Sequence, residues 1–178
     1  MNELTTFLTK AMDIGTINDI ASYLEIKKGD QQAIEKVSLL ARCYLKLGNW
    51  QKSINEDSNE GITPEILRSF LAATHCDKNW YKAWHAWALS NFEVVYAYEK
   101  SHETVTPQIL ISHAVPSIQG FIRSIALSKG NSLQDTLRLL TLWFKYGYQS
   151  EVTSAILEAF STVSIDTWLA VIPQVSET

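Results

Sequence analysis

The strongest constraint on this chain lies in Ser132–Phe144, which reads Ser-Leu-Gln-Asp-Thr-Leu-Arg-Leu-Leu-Thr-Leu-Trp-Phe. Leu133, Leu137, Leu140 and Phe144 recur at helical spacing, and Leu139, Leu142 and Trp143 widen the apolar face. Ser132 with Asp135 three residues later is an acidic variant of a helix-start signal. Lys145 suits the negative end of the helix dipole, and Gly147 can take a left-handed, helix-ending conformation. So apolar a helix needs cover on two sides, which predicts burial of Leu140 and Trp143 between neighbouring helices.

The same periodicity runs through the rest of the chain. A weak helix is expected to about Met12, and another from Thr16 to about Lys27 after a break at Gly15. Asp30 can cap a helix carrying Ile34, Val37, Leu40, Ala41, Tyr44 and Leu45, with Gly48 as its expected end. Asn55–Gly61 is the most polar run and predicts an exposed loop. Thr63-Pro64 and Thr106-Pro107 each place a capping hydroxyl before a proline at the first helical position. The spacing predicts one long helix from Asp77 to about Tyr98, with Trp80, Trp84 and Trp87 on its core face. Pro116 should kink or split the helix that runs to about Ser128 and ends at Gly130. Val152, Ile156, Leu157 and Phe160 mark another helix, and Ile165–Val171 a last short one stopped by Pro173.

No stretch alternates with a period of two between hairpin turn residues, so a sheet is not expected. Leu39–Gly48 and Leu139–Gly147 look like degenerate copies of one pattern, a helix closing on an aromatic, a lysine and a glycine. The fold class expected is all-α: an α-solenoid of antiparallel helical hairpins, similar to tetratricopeptide or HEAT repeats, over residues 1–178 as one helical-repeat segment.

Several function classes find no support. The net charge of −4, with no clustered basic tract, argues against a nucleic-acid binder. The aromatic run from Trp80 to Tyr98 is better read as core than as a base-stacking platform, because basic residues do not surround it. Cys43 and Cys76 form no disulfide framework, and with four scattered histidines they show no zinc spacing. His85 is expected to hydrogen-bond at a helix interface, since Leu89 rather than a ligand stands four residues on. Met1-Asn2-Glu3-Leu4 lacks a positive start followed by an apolar core, so it is not expected to be a signal peptide, and no run approaches the length of a membrane span. It contains no Gly-rich phosphate loop, no kinase catalytic motif and no Gly-x-Ser-x-Gly, so no catalytic residue is assigned.

One polar set points to a ligand. Arg42 and Lys46 stand at i and i+4 on one helix face, with no acid three or four residues away within that helix. Two such cations can make half of an anion site. Lys82 stands at the start of the long helix, where the positive dipole end also favours an anion. The competing reading is an ordinary solvated face.

The chain also resembles the FAT region of the TOR-type phosphatidylinositol-3-kinase-related serine/threonine protein kinases. The resemblance rests on Leu133–Phe144 with Tyr146-Gly147, on Ile165-Asp-Thr-Trp-Leu169 with Ile172-Pro-Gln174, and on Ala41–Gly48. It rests further on Trp80–Ala88 with Asn91-Phe-Glu93, and on Gln119-Gly-Phe121 with Arg123-Ser-Ile125. These blocks span residues 39–174 in order, and together they are specific.

The resemblance implies a non-catalytic helical scaffold that positions a separate kinase domain and carries partner contacts in growth and nutrient signalling. The partners implied are the remainder of the kinase polypeptide and its complex subunits. It implies a cytoplasmic place, with peripheral attachment to endomembranes through the parent complex as an option. It also implies that Arg42, Lys46 and Lys82 line part of a pocket for inositol hexakisphosphate, the remaining ligands coming from upstream basic residues. No metal is expected. The family's insertion after the Asn-Phe-Glu helix is shortened here to about Glu99–Thr106. The alternative is a free-standing tetratricopeptide-like adaptor that binds peptides in a concave groove.

Overall fold

The computed structural model describes residues 31–58, 60–101, 104–129 and 132–163. Nearly all of them are helical, and no strand occurs among the described residues, so the all-α class holds. The elements are α1 (Gln31–Ser58), α2 (Pro64–Cys76), α3 (Tyr81–Ser101), α4 (Pro107–Ile109), a π-helical turn (Leu110–Ala114), α5 (Val115–Ser128), α6 (Leu133–Tyr146) and α7 (Ser150–Ser161). They belong to two compact units, divided between Asn79 and Trp80. The helices expected before Asp30 and over Ile165–Val171 lie outside the described residues.

In the first unit α1 packs against α2. Leu40, Ala41 and Tyr44 are buried on α1, as are Ile66, Phe70 and Ala73 on α2. Gly48 does not end α1, which continues to Ser58 and takes in half of the polar run expected to be a loop. An interior glycine costs about 0.5–1 kcal/mol of helix propensity, but here it makes room. A Cβ on Gly48 would stand 2.6 Å from the Phe70 ring, so the missing side chain lets that ring lie on the helix. The turn comes later, where Glu60 N–H donates to the Asn55 carbonyl at 2.9 Å and Gly61 takes a φ of 72°. Thr63-Pro64 then starts α2 with proline in the first turn as expected, but the Thr63 hydroxyl makes no cap hydrogen bond.

In the second unit α5 is the central element. Its Ile118, Phe121, Ile122 and Ile125 share a core with Val95 of α3, Leu139 and Leu142 of α6, and Val152 and Ile156 of α7. On α3 the buried line is Ala83, Ala88, Ser90, Asn91 and Val95, while Trp80, Trp84 and Trp87 are only half-buried. Small residues sit at the contact because the backbones approach closely. The Ser117 hydroxyl donates to the Ala88 carbonyl at 2.9 Å, and a Cβ on Gly120 would fall 2.8 Å from the Ala88 Cβ. The Phe92 and Phe121 rings meet edge to face, 6.1 Å apart.

Pro116 has the expected disruptive effect in a specific form. Val115 donates its N–H to the Leu110 carbonyl, five residues back, closing a π turn just ahead of the proline. The wider turn accommodates a ring that would clash in a regular helix and a residue with no N–H to donate. The Thr106 hydroxyl caps the preceding turn, accepting from Ile109 N–H at 3.4 Å. At the far end of α5 the left-handed residue is Lys129, φ 50°; Gly130 lies outside the described residues.

Helix α6 corrects the sequence reading most. Its buried residues are Asp135, Leu139, Leu142 and Tyr146. Leu140 is half-buried and Trp143 is 41% exposed, so neither has the burial expected of it. Apolar residues line two opposite sides of the helix, so spacing alone does not select the inward one; the inward-turned Asp135 marks it. Nor does Ser132 cap α6 through its side chain. Gly147 closes the helix in a right-handed conformation, φ −65°, not a left-handed one. Glycine suits that position because a Cβ would crowd the Trp143 carbonyl and lie 2.7 Å from the Trp143 ring.

Gly120→Ala tests the close contact of α3 and α5. Alanine gains about 0.8–1 kcal/mol of helix propensity, whereas forcing a methyl into a packed contact costs about 1–3 kcal/mol. Ala88 presents backbone as well as side chain there, so the clash should win, and denaturant melts should show a net loss of stability.

Candidate functional site

Three described clusters concentrate polar chemistry. The first surrounds Asp135, a carboxyl group 1% exposed in the first turn of α6. His85 of α3 places Nδ1 2.8 Å and 2.9 Å from its two oxygens, so the ring donates to the carboxylate. The Ser124 hydroxyl of α5, itself fully buried, donates to Oδ2 at 2.8 Å. Arg138, one turn further along α6, donates from Nη1 to Oδ1 at 3.4 Å. His85 thus occupies the helix-interface role expected of it.

A serine, a histidine and an aspartate meet here, but not in the order of a hydrolytic triad. The Ser124 hydroxyl donates to the carboxylate rather than to an imidazole nitrogen, and it is sealed from solvent. Neither general-base activation nor substrate access follows from that arrangement. What it does is join three helices through one acceptor, since an ionised carboxylate accepts several hydrogen bonds and donates none.

The second cluster repeats the device at the other end of the same helices. Glu99, near the end of α3, accepts from the Tyr146 hydroxyl and pairs with Lys145 at 2.7 Å. His85 and Glu99 lie early and late on α3, as Asp135 and Tyr146 do on α6, so the two helices run parallel side by side. Between these ties the His113 ring meets the Asn91 side chain at 3.0 Å, and burial lowers the His113 pKa below its ordinary value.

The third set contains the cations singled out from the sequence. Arg42 and Lys46 lie one turn apart on α1 and both are exposed, with the Lys46 ammonium 5.6 Å from the centre of the Trp50 ring. Lys82 is exposed in the first turn of α3. None of the three has a carboxylate partner among the described residues. Arg42 and Lys46 belong to the first compact unit and Lys82 to the second, and each is placed within its own unit.

The thiols are free, Cys43 half-buried and Cys76 buried. Burial first, and then Asp77, push the Cys76 thiol up to about 12, which keeps it protonated and unreactive. The Tyr44 hydroxyl is also raised to about 12, by burial and then by Cys76. No group of three or more His, Cys, Asp or Glu among the described residues is placed to hold a metal ion. No described helix is long and apolar enough to cross a membrane.

An all-helical module tied together by polar anchors, one of them buried, is the class of protein these features define. A family model, the FAT domain, matches residues 1–141. The chain is 45% identical over 174 residues to serine/threonine-protein kinase tor1 of Schizosaccharomyces pombe, covering 98% of this chain and 7% of that protein. It is 43% identical over 166 residues to serine/threonine-protein kinase mTor of Drosophila melanogaster, covering 84% of this chain and 6% of that one. With serine/threonine-protein kinase TOR of Arabidopsis thaliana it shares 41% over 163 residues, 89% of this chain and 6% of the relative. The chain belongs to the FAT domain family, in the form carried by TOR-type serine/threonine kinases. It spans about 7% of the length of such relatives, a helical segment that does not include their kinase domain.

Sequence reasoning singled out the cations and missed both carboxylate anchors. Asp135 was visible only as a helix-start residue. The one signal available was an acid among the apolar residues of α6.

The anchor predicts an asymmetry. Asp135→Ala removes the buried charge, lets the part-exposed His85 and Arg138 hydrate, and strands one buried hydroxyl, for a loss of about 1–3 kcal/mol. His85→Ala leaves the carboxylate buried with one good partner and should cost about 3 kcal/mol, the low end for unpairing a buried charge because His85 is itself part-exposed. Chemical denaturation of both variants checks the order.

His113 predicts a pH dependence. Its folded pKa is depressed, so the unfolded chain takes up the proton more readily. Its stabilising contribution is present above the unfolded value of about 6.5 and is lost as pH falls toward the lower folded value. Melts between pH 7 and 5 should show falling stability, with a shallower fall in His113→Gln.

Proposed function

We propose that this chain is a non-catalytic scaffold segment of a TOR-type protein kinase. Its hairpins hold the geometry of a kinase domain carried elsewhere in the polypeptide and present surfaces to complex subunits in growth and nutrient signalling. The observation that carries this reading is the pair of polar ties, Asp135 at one end and Glu99 at the other, which lock α3 and α6 in register. Two ties on parallel helices resist both sliding and rotation, as a rigid spacer requires. The place of action on this reading is cytoplasmic, at endomembranes where the parent complex attaches.

The reading includes a polyanion pocket to which Arg42, Lys46 and Lys82 contribute, with inositol hexakisphosphate as ligand. Exposed cations at i and i+4 disfavour each other by about 0.2–0.5 kcal/mol. Lys82 in a first helical turn also opposes the dipole. Both penalties change sign when a polyphosphate binds. In a TOR-type kinase polypeptide extended upstream of this segment, inositol hexakisphosphate should raise the melting temperature, and less so as salt is added. Lys46→Glu or Lys82→Glu should abolish the shift. A shift that survives both reversals assigns these cations to an ordinary solvated face.

A further inference from the structure

Helix α1 has two apolar faces. One, with Leu40, Ala41, Tyr44 and Gly48, packs on α2. On the opposite face Leu39, Cys43, Trp50 and Ile54 fall at i, i+4, i+11 and i+15, and Lys46 completes the line at i+7. Leu39 is 48% exposed, Trp50 58% and Ile54 66%, while Cys43 is half-buried. The line is about 22 Å long at 1.5 Å per residue, about four helical turns. Single exposed apolar residues are ordinary, whereas a continuous stripe calls for cover.

Charge selects what covers it. Lys46 stands within the line, and Arg42 lies at its edge one turn earlier. The Lys46 ammonium is held 5.6 Å from the centre of the Trp50 ring, so cation and apolar surface are one patch. Neither Arg42 nor Lys46 has a carboxylate partner among the described residues. An uncharged helix laid on this face would strip water from both cations without pairing them, which is costly. A second copy of the chain fares no better. Whether two α1 helices pack parallel, or antiparallel about the middle of the line, Lys46 faces its own copy, and like charges repel. A bare polyanion pairs the cations but leaves the apolar line in water. On α6, by comparison, a stripe of exposed Leu133, Leu137 and Phe144 with half-buried Leu140 is flanked by uncharged Gln134, Thr136 and Thr141, which select no occupant.

We propose that the outer face of α1 docks an acidic amphipathic helix. Apolar residues of that helix, spaced by four and three, lie along Leu39, Cys43, Trp50 and Ile54. Carboxylates four residues apart at their edge pair with Arg42 and Lys46, which stand four apart themselves. This surface goes beyond the polyanion pocket, which engages the two cations and makes no use of Leu39, Trp50 or Ile54.

A labelled synthetic helix of about 18 residues, with leucines spaced by four and three and glutamates beside them, is the probe. Fluorescence polarisation measures its binding to the full 178-residue chain. The peptide should bind saturably, more weakly as salt is added, and a counterpart with lysine in place of glutamate should bind at least about tenfold less tightly. Arg42→Glu or Lys46→Glu should weaken binding of the glutamate peptide by about tenfold. Trp50→Ala should weaken it by about threefold or more, and Leu39→Ala replaces that variant if Trp50→Ala lowers the melting temperature. The docking surface is overturned if the glutamate peptide does not bind up to about millimolar concentration, binds no better than its lysine counterpart, or is indifferent to the charge reversals. Sensitivity to the reversals with none to Trp50→Ala or Leu39→Ala assigns the cations to an anion site alone and also overturns it. So does self-association of the chain that Trp50→Ala abolishes, which gives the face to a second copy. The thermal shift with inositol hexakisphosphate stands or falls separately, because it requires neither Leu39 nor Trp50.

Discussion

Three groups from three helices converge on the carboxylate of Asp135, and the second compact unit depends on that convergence. Taking an acid out of water is costly unless its lone pairs are occupied. Here they are occupied by His85 from α3, Ser124 from α5 and Arg138 from α6 itself. Apolar packing tolerates a range of rotations and offsets, whereas hydrogen bonds to one buried acceptor admit very few. The anchor therefore contributes uniqueness as well as stability, converting an apolar pile of helices into one arrangement. The Glu99 tie to Lys145 and Tyr146 repeats this at the opposite end.

A second constraint is the close approach of backbones. Ala83, Ala88, Ser117 and Gly120 occupy positions where large side chains would hold α3 and α5 apart. The tryptophans then flank the contact rather than fill it: Trp84 carries Arg123 over its ring at 5.3 Å and meets Trp87 edge to face at 5.9 Å. Gly48 against Phe70 shows the same logic in the first unit. These glycines sit inside helices, where propensity disfavours them, because packing outweighs the local cost.

The surface divides by chemistry. Arg42, Lys46 and Lys82 are exposed cations without carboxylate partners among the described residues. The stripe on α6 is exposed and apolar. The chain belongs to the FAT domain family and covers 7% of the length of its fission-yeast relative. The ties at Asp135 and Glu99, by contrast, lie within the second unit.

The helical class followed from sequence alone, because the 3.6-residue recurrence of apolar residues admits no other economical structure. The two Thr-Pro starts and the disruption at Pro116 were equally legible, being local consequences of a missing N–H and a fixed φ. The family was legible too, from ordered blocks spread over most of the chain. Glycine was the least reliable guide: Gly48 lies within a helix and Gly147 is right-handed, since a glycine can be present for what packs on it as well as for its φ. The face that α6 turns inward was not legible either. Its leucines line two opposite sides of the helix, and only the meeting of Asp135 with His85, fifty positions away in sequence, selects one of them. Local rules act over three or four residues and therefore set elements and their ends. Which faces meet is decided by partners distant in sequence, and that information exists only once the chain has folded.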